Sequence, residues 1–315
     1  MIGFIDMMRG RGFRVEPICE VLGEYGIKIA ARTYRAAKAR LACARDIDDA
    51  QVINQMVALR TTRDMRGNLP RERFYGRRKM RALLARRGVH ASISRVGRLM
   101  GLAGMKGLVR GRRVVTTHKS AVGAGDLLRR DFTADGPDRV WVTDLTYVRT
   151  SSGWVYVTFI TDAYARRIIA CAGACEMTER LVSDTLTIAI GTRAKQGHRI
   201  KPGLIAHHDH GSQYTAIHYT QQLEMAGIKV SYGTVGDSYD NALAEAVNGT
   251  YKAECVGPDG PFANLTAVMD ATLAWVNWYN QDRLHEYLDY RTPAEVEAEY
   301  YGRPREPLEP PRSTK

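Results

Sequence analysis

The chain has 315 residues, 44% of them hydrophobic and 25% charged, and a net charge of +12. That much apolar material excludes global disorder, and that length suits two or three domains rather than one small module. No run approaches the ~18 apolar residues of a membrane span, and the N-terminus lacks the basic lead-in and small-residue cleavage site of a secretory signal, so a cytoplasmic chain is expected.

The charge is uneven. Residues 1–130 hold 29 Lys/Arg against 10 Asp/Glu, and the remainder holds 17 against 24. A basic front half joined to an acidic back half fits a nucleic-acid grip attached to something else; a basic soluble face with no ligand is the plain alternative. Residues 1–44 read as two helices across a short turn, the second opened by Pro17 and stopped by Gly26, with Ala30 to Ala44 also favouring helix. The helical pattern repeats over 47–60, and Gly67-Asn68-Leu69-Pro70 breaks it. Beyond the break, Met80, Leu83 and Leu84 stripe one helix face while Arg77, Arg78 and Lys79 occupy others. Gly88 caps that helix, and Ser92 or Ser94 caps the next, whose apolar residues are Val96, Leu99 and Met100. Two short basic helices across a tight turn fit a helix-turn-helix, and equally an ordinary helical hairpin. Residues 106–130 gather Lys106, Arg110, Arg112, Arg113, Lys119, Arg129 and Arg130 among Gly, Thr and Ser. Such a segment either lies along a phosphate backbone or is a solvated tether.

From residue 138 the texture changes. Arg139 to Arg149 alternates and is rich in Val, Trp, Thr and Tyr, a strand; Ser151-Ser152-Gly153 turns the chain; Trp154 to Thr161 and Arg167 to Ala174 are two more strands. Thr178 to Lys195 reads as helix, Gly203 to His207 as a buried strand, Tyr214 to Ala226 as helix, Ile228 to Tyr232 as strand, and Asn241 to Cys255 as helix. A hairpin sheet that becomes parallel through helical crossovers is an α/β arrangement. The five scattered cysteines make no disulfide framework; Cys171 and Cys175 lack the His partners of a zinc site and are read as buried free thiols.

Three acids lie where chemistry is expected. Asp144 shares a strand face with Val140, Val142, Thr146 and Val148, and a charge there is costly unless it is paired or binds metal. Asp209 follows the short fourth strand, where ligand sites of α/β sheets gather. Glu245 lies in the first turns of a helix, one turn after Asn241. Acids from three elements can hold a divalent pair suited to phosphodiester chemistry, Mg²⁺ best; equally, among 34 acidic residues some triplet always falls near strand ends, and Asp162 is such a decoy.

Trp141-Val142-Thr143-Asp144-Leu145-Thr146-Tyr147, His208-Asp209-His210-Gly211-Ser212-Gln213-Tyr214, and Ser238-Tyr239-Asp240-Asn241-Ala242-Leu243-Ala244-Glu245 with Lys252 seven residues on resemble, in order, the three catalytic blocks of retroviral-integrase-like transposases. Asp209 and Glu245 are separated by 35 residues, the spacing of the DD(35)E group. The chain most resembles the second-reading-frame product of family-three insertion sequences. Tyr75 to Met105 is similar to that family's internal helix-turn-helix, and Trp278-Tyr279-Asn280 with Arg283 and Thr292-Pro293 to its C-terminal block.

The resemblance implies an RNase H-like core, a mixed five-stranded sheet with helices, preceded by an α-helical helix-turn-helix region. The expected division is a helical segment 1–44, a helix-turn-helix domain 45–110, a basic linker 111–135, a catalytic core with its helical block 136–300, and a tail 301–315. The resemblance further implies Asp144, Asp209 and Glu245 as catalytic metal ligands for Mg²⁺, with Mn²⁺ as substitute. It implies DNA cleavage and strand transfer acting on terminal inverted repeats and target DNA. Lys252 and Asn241 are expected to contact DNA, with Arg77, Arg78, Lys79, Arg110, Arg112 and Arg113 gripping it elsewhere. A homo-oligomer on DNA, to hold two ends together, and a nucleoid-associated location follow by the same resemblance, and a first-reading-frame partner or fusion is expected because the chain starts where a second-frame product starts. Two departures stand out: Asp237 occupies a position where a small uncharged residue is usual, and no zinc-binding module precedes the core. Two rival readings remain, a catalytically silent DNA-binding regulator or domesticated remnant, and a nuclease that cuts without joining.

Overall fold

Alternating β-branched and aromatic residues build three long strands, β1 (Val140–Thr150), β2 (Gly153–Asp162) and β3 (Ile168–Ala174), in the computed structural model of the chain. The structure describes residues 1–65, 67–109, 127–128, 131–209, 214, 217–232 and 242–302. β1 and β2 pair antiparallel from Trp141–Asp162 to Thr150–Gly153, across a tight turn where Gly153 takes φ 125°, a value that suits a residue without Cβ. β4 (Ile205–His208) joins β1 in parallel and β5 (Lys229–Tyr232) joins β4, giving the order β3-β2-β1-β4-β5. This is the mixed five-stranded sheet the sequence leads one to expect.

Each sheet face is covered by helices. On one face Trp141 and Ile160 pack with Leu186 of α7 (Glu179–Lys195) and with Tyr219 and Leu223 of α8 (Ile217–Met225). On the other, Val140 and Val142 pack with Ala244 of α9 (Ala242–Tyr251). There Phe159 also meets Tyr251 and Trp275, the latter on α11 (Leu265–Gln281). Strand periodicity of two therefore sends odd and even positions of β1 into separate cores.

The helix expected over Asn241 to Cys255 departs from expectation at its end. Regular α9 stops at Tyr251, and Lys252–Val256 forms a π-helical turn leading into the single turn α10 (Gly257–Asp259). The widened turn carries Glu254 inward to a two-bonded pair with Arg283: Nε to Oε2 is 2.7 Å and Nη2 to Oε1 is 2.9 Å. Arg283 also lies against the buried His285 ring, where burial first and the guanidinium second push the imidazole pKa down to about 2. The unfolded chain takes up that proton near pH 6.5 while the folded chain refuses it, so this group's stability contribution is lost as pH falls below 6.5. The expected slope is about 1.4 kcal/mol per pH unit. Thermal melts between pH 4 and 7 should show a shallower acid slope for His285→Gln; equal slopes would contradict this.

By contacts the chain divides into two compact units, residues 1–57 and 58–315. The first holds three helices, α1 (Ile2–Gly10), α2 (Val15–Glu24) and α3 (Ala31–Ala39), around Ile5, Val15, Ile18, Cys19 and Tyr34. Tyr34 Oη donates to Asp6 Oδ1 at 2.7 Å and accepts from Arg9. α2 begins at Val15, ahead of Pro17, because a proline is tolerated in a first turn whose N–H groups are unpaired anyway. α4 (Ala44–Thr61) runs across the division.

Within the second unit, α5 (Arg77–Arg86) and α6 (Ile93–Leu102) bury Met80, Leu84, Val96, Leu99 and Met100. Gly88 at φ 78° closes α5, and the Ser92 hydroxyl caps α6 by accepting from Arg95 N at 3.2 Å. The pair is tied to the region after the sheet. Arg86 makes a two-bonded pair with Glu295 of α12 (Pro293–Gly302), Trp278 Nε1 donates to Glu72, and Leu284 N donates to the buried Tyr75 hydroxyl. Trp275 and Trp278 are buried, as expected. All five cysteines are free; Cys171 is half-buried, but Cys175 sits just past β3 and is exposed, so the expectation of buried thiols holds in part for Cys171 and fails for Cys175. Among the described residues no helix is long and apolar enough to cross a membrane.

Candidate active site

Strand register builds the site. β1 and β4 run parallel with Val140 opposite Ile205, Trp141 opposite Ala206 and Val142 opposite His207. Two residues further, the same register sets Asp144 level with Asp209, the first residue beyond β4. Asp144 lies on the even face, between buried Val142 and Thr146, as its alternation implied. That face is covered by α9, which carries Glu245 in its first turn and Asn248 one turn later.

The Asp144 carboxylate is held from both sides. Oδ1 accepts from the Leu145 N–H at 2.8 Å and Oδ2 accepts from the Asn248 side-chain amide at 2.8 Å. Burial pushes its pKa up to about 7; the Leu145 N–H pulls it down, the charges of Asp209 and Glu245 push it up further, and Asn248 pulls it down. The repulsion from both acids marks the three as one electrostatic cluster. Among the described residues, no three His, Cys, Asp or Glu groups already close on a shared metal position. The donor set is nevertheless all oxygen, anionic and partly desolvated, which suits a hard divalent cation better than any softer metal.

Aromatic groups wall the Asp209 side. The His208 ring stacks on Tyr214 with centroids 4.5 Å apart, meets Tyr219 and Tyr232 edge-on, and its Nδ1 lies 3.0 Å from the Asp209 carbonyl. Tyr214 is fully buried, and its hydroxyl pKa is raised well above 10, by burial first and then by Asp144 and Asp209. His207 packs edge-on against Phe132 and its Nδ1 lies 2.9 Å from the Ser231 hydroxyl. Both histidines are thus packed and hydrogen-bonded at once. Gln213 lies outside the described residues.

The other sequence candidates fall in several places. Lys252 opens the π-helical turn beyond α9 and sets its ammonium 4.7 Å from the Tyr147 ring centre. Arg78 pairs with Glu286 at 2.7 Å, Lys79 lies over the Tyr75 ring, and Arg77 is exposed on the first turn of α5. Asn241, Arg110, Arg112 and Arg113 lie outside the described residues, as do most of the 111–135 segment and nearly all of the tail. The decoy Asp162 is fully buried and accepts from the Asp138 and Ala165 N–H groups at 2.7 and 3.0 Å, so it staples the turn after β2. Asn248 is the residue that sequence reasoning missed. Its signal is a lone amide three residues after Glu245 in an apolar helix.

The integrase core domain family matches residues 134–238 and again 226–293, which together contain all three acids. The chain is 43% identical over 235 residues to the transposase assigned to insertion sequence element IS986/IS6110 of Mycobacterium tuberculosis, covering 74% of this chain and 84% of that protein. It is 43% identical over 231 residues to the transposase for insertion sequence element IS629 of Shigella sonnei, covering 73% and 76%. It is 32% identical over 228 residues to the transposase for IS904 of Lactococcus lactis, covering 71% and 87%. Among solved structures, one similar chain belongs to a simian T-cell lymphotropic virus intasome, at 14% identity and TM-score 0.44 over 75% of this chain and 76% of that one. With the integrase core matched across the sheet and its helices, and with transposases matched over most of their own length, the chain belongs to the IS3-family insertion-sequence transposases.

Proposed function

We propose that Asp144, Asp209 and Glu245 are the catalytic acids of this transposase and hold divalent metal, Mg²⁺ by preference and Mn²⁺ as a substitute, for cleavage and transfer of DNA strands at the element's ends. The observation that carries this reading is the cluster itself: a carboxylate raised to about 7 by burial and by two further acids, a charge distribution that a dication relieves. When bound, such a cation lowers the pKa of the attacking oxygen's proton and offsets charge on the leaving oxygen. The chain's own residues do the positioning. Leu145 N–H and Asn248 fix the plane of the Asp144 carboxylate, and the His208–Tyr214 stack packs the end of β4 from which Asp209 follows. Water attacks a phosphodiester at the element's end and frees a 3′-hydroxyl; that hydroxyl attacks a second phosphodiester and displaces its 3′-oxygen.

Lys252 and Asn241, flanking Glu245, suit phosphates beside the cut. Arg77, Arg78 and Lys79 suit duplex recognition, with Arg78 exchanging Glu286 for a phosphate, and Arg110, Arg112 and Arg113 suit the backbone between. Two ends must be held together, so a homo-oligomer on terminal inverted repeats is expected, with a first-reading-frame partner or fusion completing recognition.

The test is a labelled element-end duplex incubated with the full chain. Joined product in Mg²⁺ that disappears with chelator supports the proposal; metal-independent binding without cleavage sinks it. Asn248→Ala should lower the joining rate by roughly 10- to 100-fold, the usual cost of losing an outer partner of a metal ligand. Duplex affinity should be unchanged. A variant that joins at the wild-type rate would remove Asn248 from the site.

A further inference from the structure

Beyond the acids, the β1–β2 hairpin carries an aromatic surface that the reaction as described does not use. Tyr147 is 55% exposed and Trp154 45% exposed, and their rings meet edge-on with centroids 5.3 Å apart. Each ring bears a cation: Lys252 lies 4.7 Å from the Tyr147 centroid and Arg149 lies 5.3 Å from the Trp154 centroid. Register explains the grouping. Arg149 faces Trp154 across the hairpin, and Tyr147 lies one pair further in on the same face. Cross-strand pairing accounts for the contact between the rings. It does not account for two large rings left half in water on an acidic half of the chain, each with a cation beside it.

The position is informative. Among the described residues β4 pairs with β1 only from Val140 to Val142, and the next backbone partner on that side is a single bridge from Thr150 to Phe262, so the β1 edge between them is unpaired. Lys252, seven residues past Glu245, brings its ammonium from the end of the catalytic helix to Tyr147. Tyr147 is three residues beyond Asp144, about 10 Å along the strand, and its ring lies on the opposite face of β1, so a DNA strand leaving the acids would reach it past the β1 edge. Exposed rings with flanking cations take nucleobases by stacking and phosphates by charge, without reading sequence.

We infer that Tyr147 and Trp154, flanked by Lys252 and Arg149, form a stacking platform for unpaired nucleotides of the DNA strand next to the scissile phosphate. This rests on the proposed active site only for its location. The platform holds the frayed strand where it passes the β1 edge, a few nucleotides from the phosphate on which the acids act, and it favours ends that open easily.

Trp154 gives a direct readout, because Trp141, Trp275 and Trp278 are 1%, 0% and 9% exposed. A ten-nucleotide oligothymidine is titrated into the full chain in chelator, and tryptophan emission is followed alongside anisotropy of a labelled copy. Binding should quench the emission. Trp154→Leu and Tyr147→Leu should each weaken affinity by roughly 5- to 100-fold, whereas Trp154→Phe should keep most of the affinity and lose the quench. Far-ultraviolet dichroism and melting of each variant should match wild type, since both rings are surface groups. Binding without quenching, unchanged affinity in both leucine variants, or no binding at all overturns the inference; the middle result is also what a protein-binding patch would give. The assay contains no metal and no cleavage step, so its failure leaves the acid triad standing, and failure of the triad leaves this result standing.

Discussion

Glu245→Gln is expected to abolish strand cleavage and joining while duplex affinity stays within about twofold of wild type. The amide keeps the shape and the place on α9 but removes one of the charges that make the cluster attractive to a dication. Lewis-acid stabilisation is worth several kcal/mol, so the rate should fall by roughly a thousandfold or more. The packing of Ala244 and Val247 that seats the helix is untouched. Gel assays of labelled element ends, run beside a mobility shift, separate chemistry from binding. A variant that still joins ends at a comparable rate would take Glu245 out of the mechanism.

The second large effect is on stability. Arg283→Met leaves the Glu254 carboxylate buried without its partner, because Nε and Nη2 of Arg283 supply both of its guanidinium bonds. Stranding a buried charge in this way costs about 3–5 kcal/mol, more than most single substitutions. The double variant Glu254→Gln with Arg283→Met should recover much of the loss, since the penalty belongs to the orphaned charge rather than to the missing pair. Denaturant melts measure both. If the single variant lies within about 1 kcal/mol of wild type, the pair is not the anchor described here. Activity should fall with stability, because the π-helical turn that holds Glu254 begins at Lys252, directly after the helix bearing Glu245. Arg71 donates to the Glu254 carbonyl at 2.6 Å, so the same turn also meets the segment leading into α5.

Much of the core was legible because its signals are local. Alternation along Arg139 to Arg149 marks a strand with Asp144 on its even face, and the apolar run from Gly203 to His207 marks the strand after which Asp209 sits. Local pattern fails where a distant partner decides. The end of α9 could not be read, because the π-helical turn exists to seat Glu254 against Arg283, 29 residues away. Nor could the attachment of α5: Arg78 and Arg86 look like solvated or DNA-facing cations until Glu286 and Glu295, more than 200 positions on, are found beside them. Asn248 is intermediate. Its spacing from Glu245 is visible in the sequence, but its purpose appears only when register brings β1 beneath α9. Asp162 shows the converse, since an acid at a strand end proved to be a backbone staple.

Where divalent metal binds decides the mechanism. The most direct measurement is anomalous scattering from manganese in crystals of the full chain bound to element-end DNA. Manganese peaks are expected in contact with the Asp144 and Asp209 carboxylates, with Glu245 at the same cluster, and at least one peak should be lost in Glu245→Gln. Manganese absent from these acids at millimolar concentration with DNA in place, or held elsewhere on the chain, would contradict the proposed mechanism.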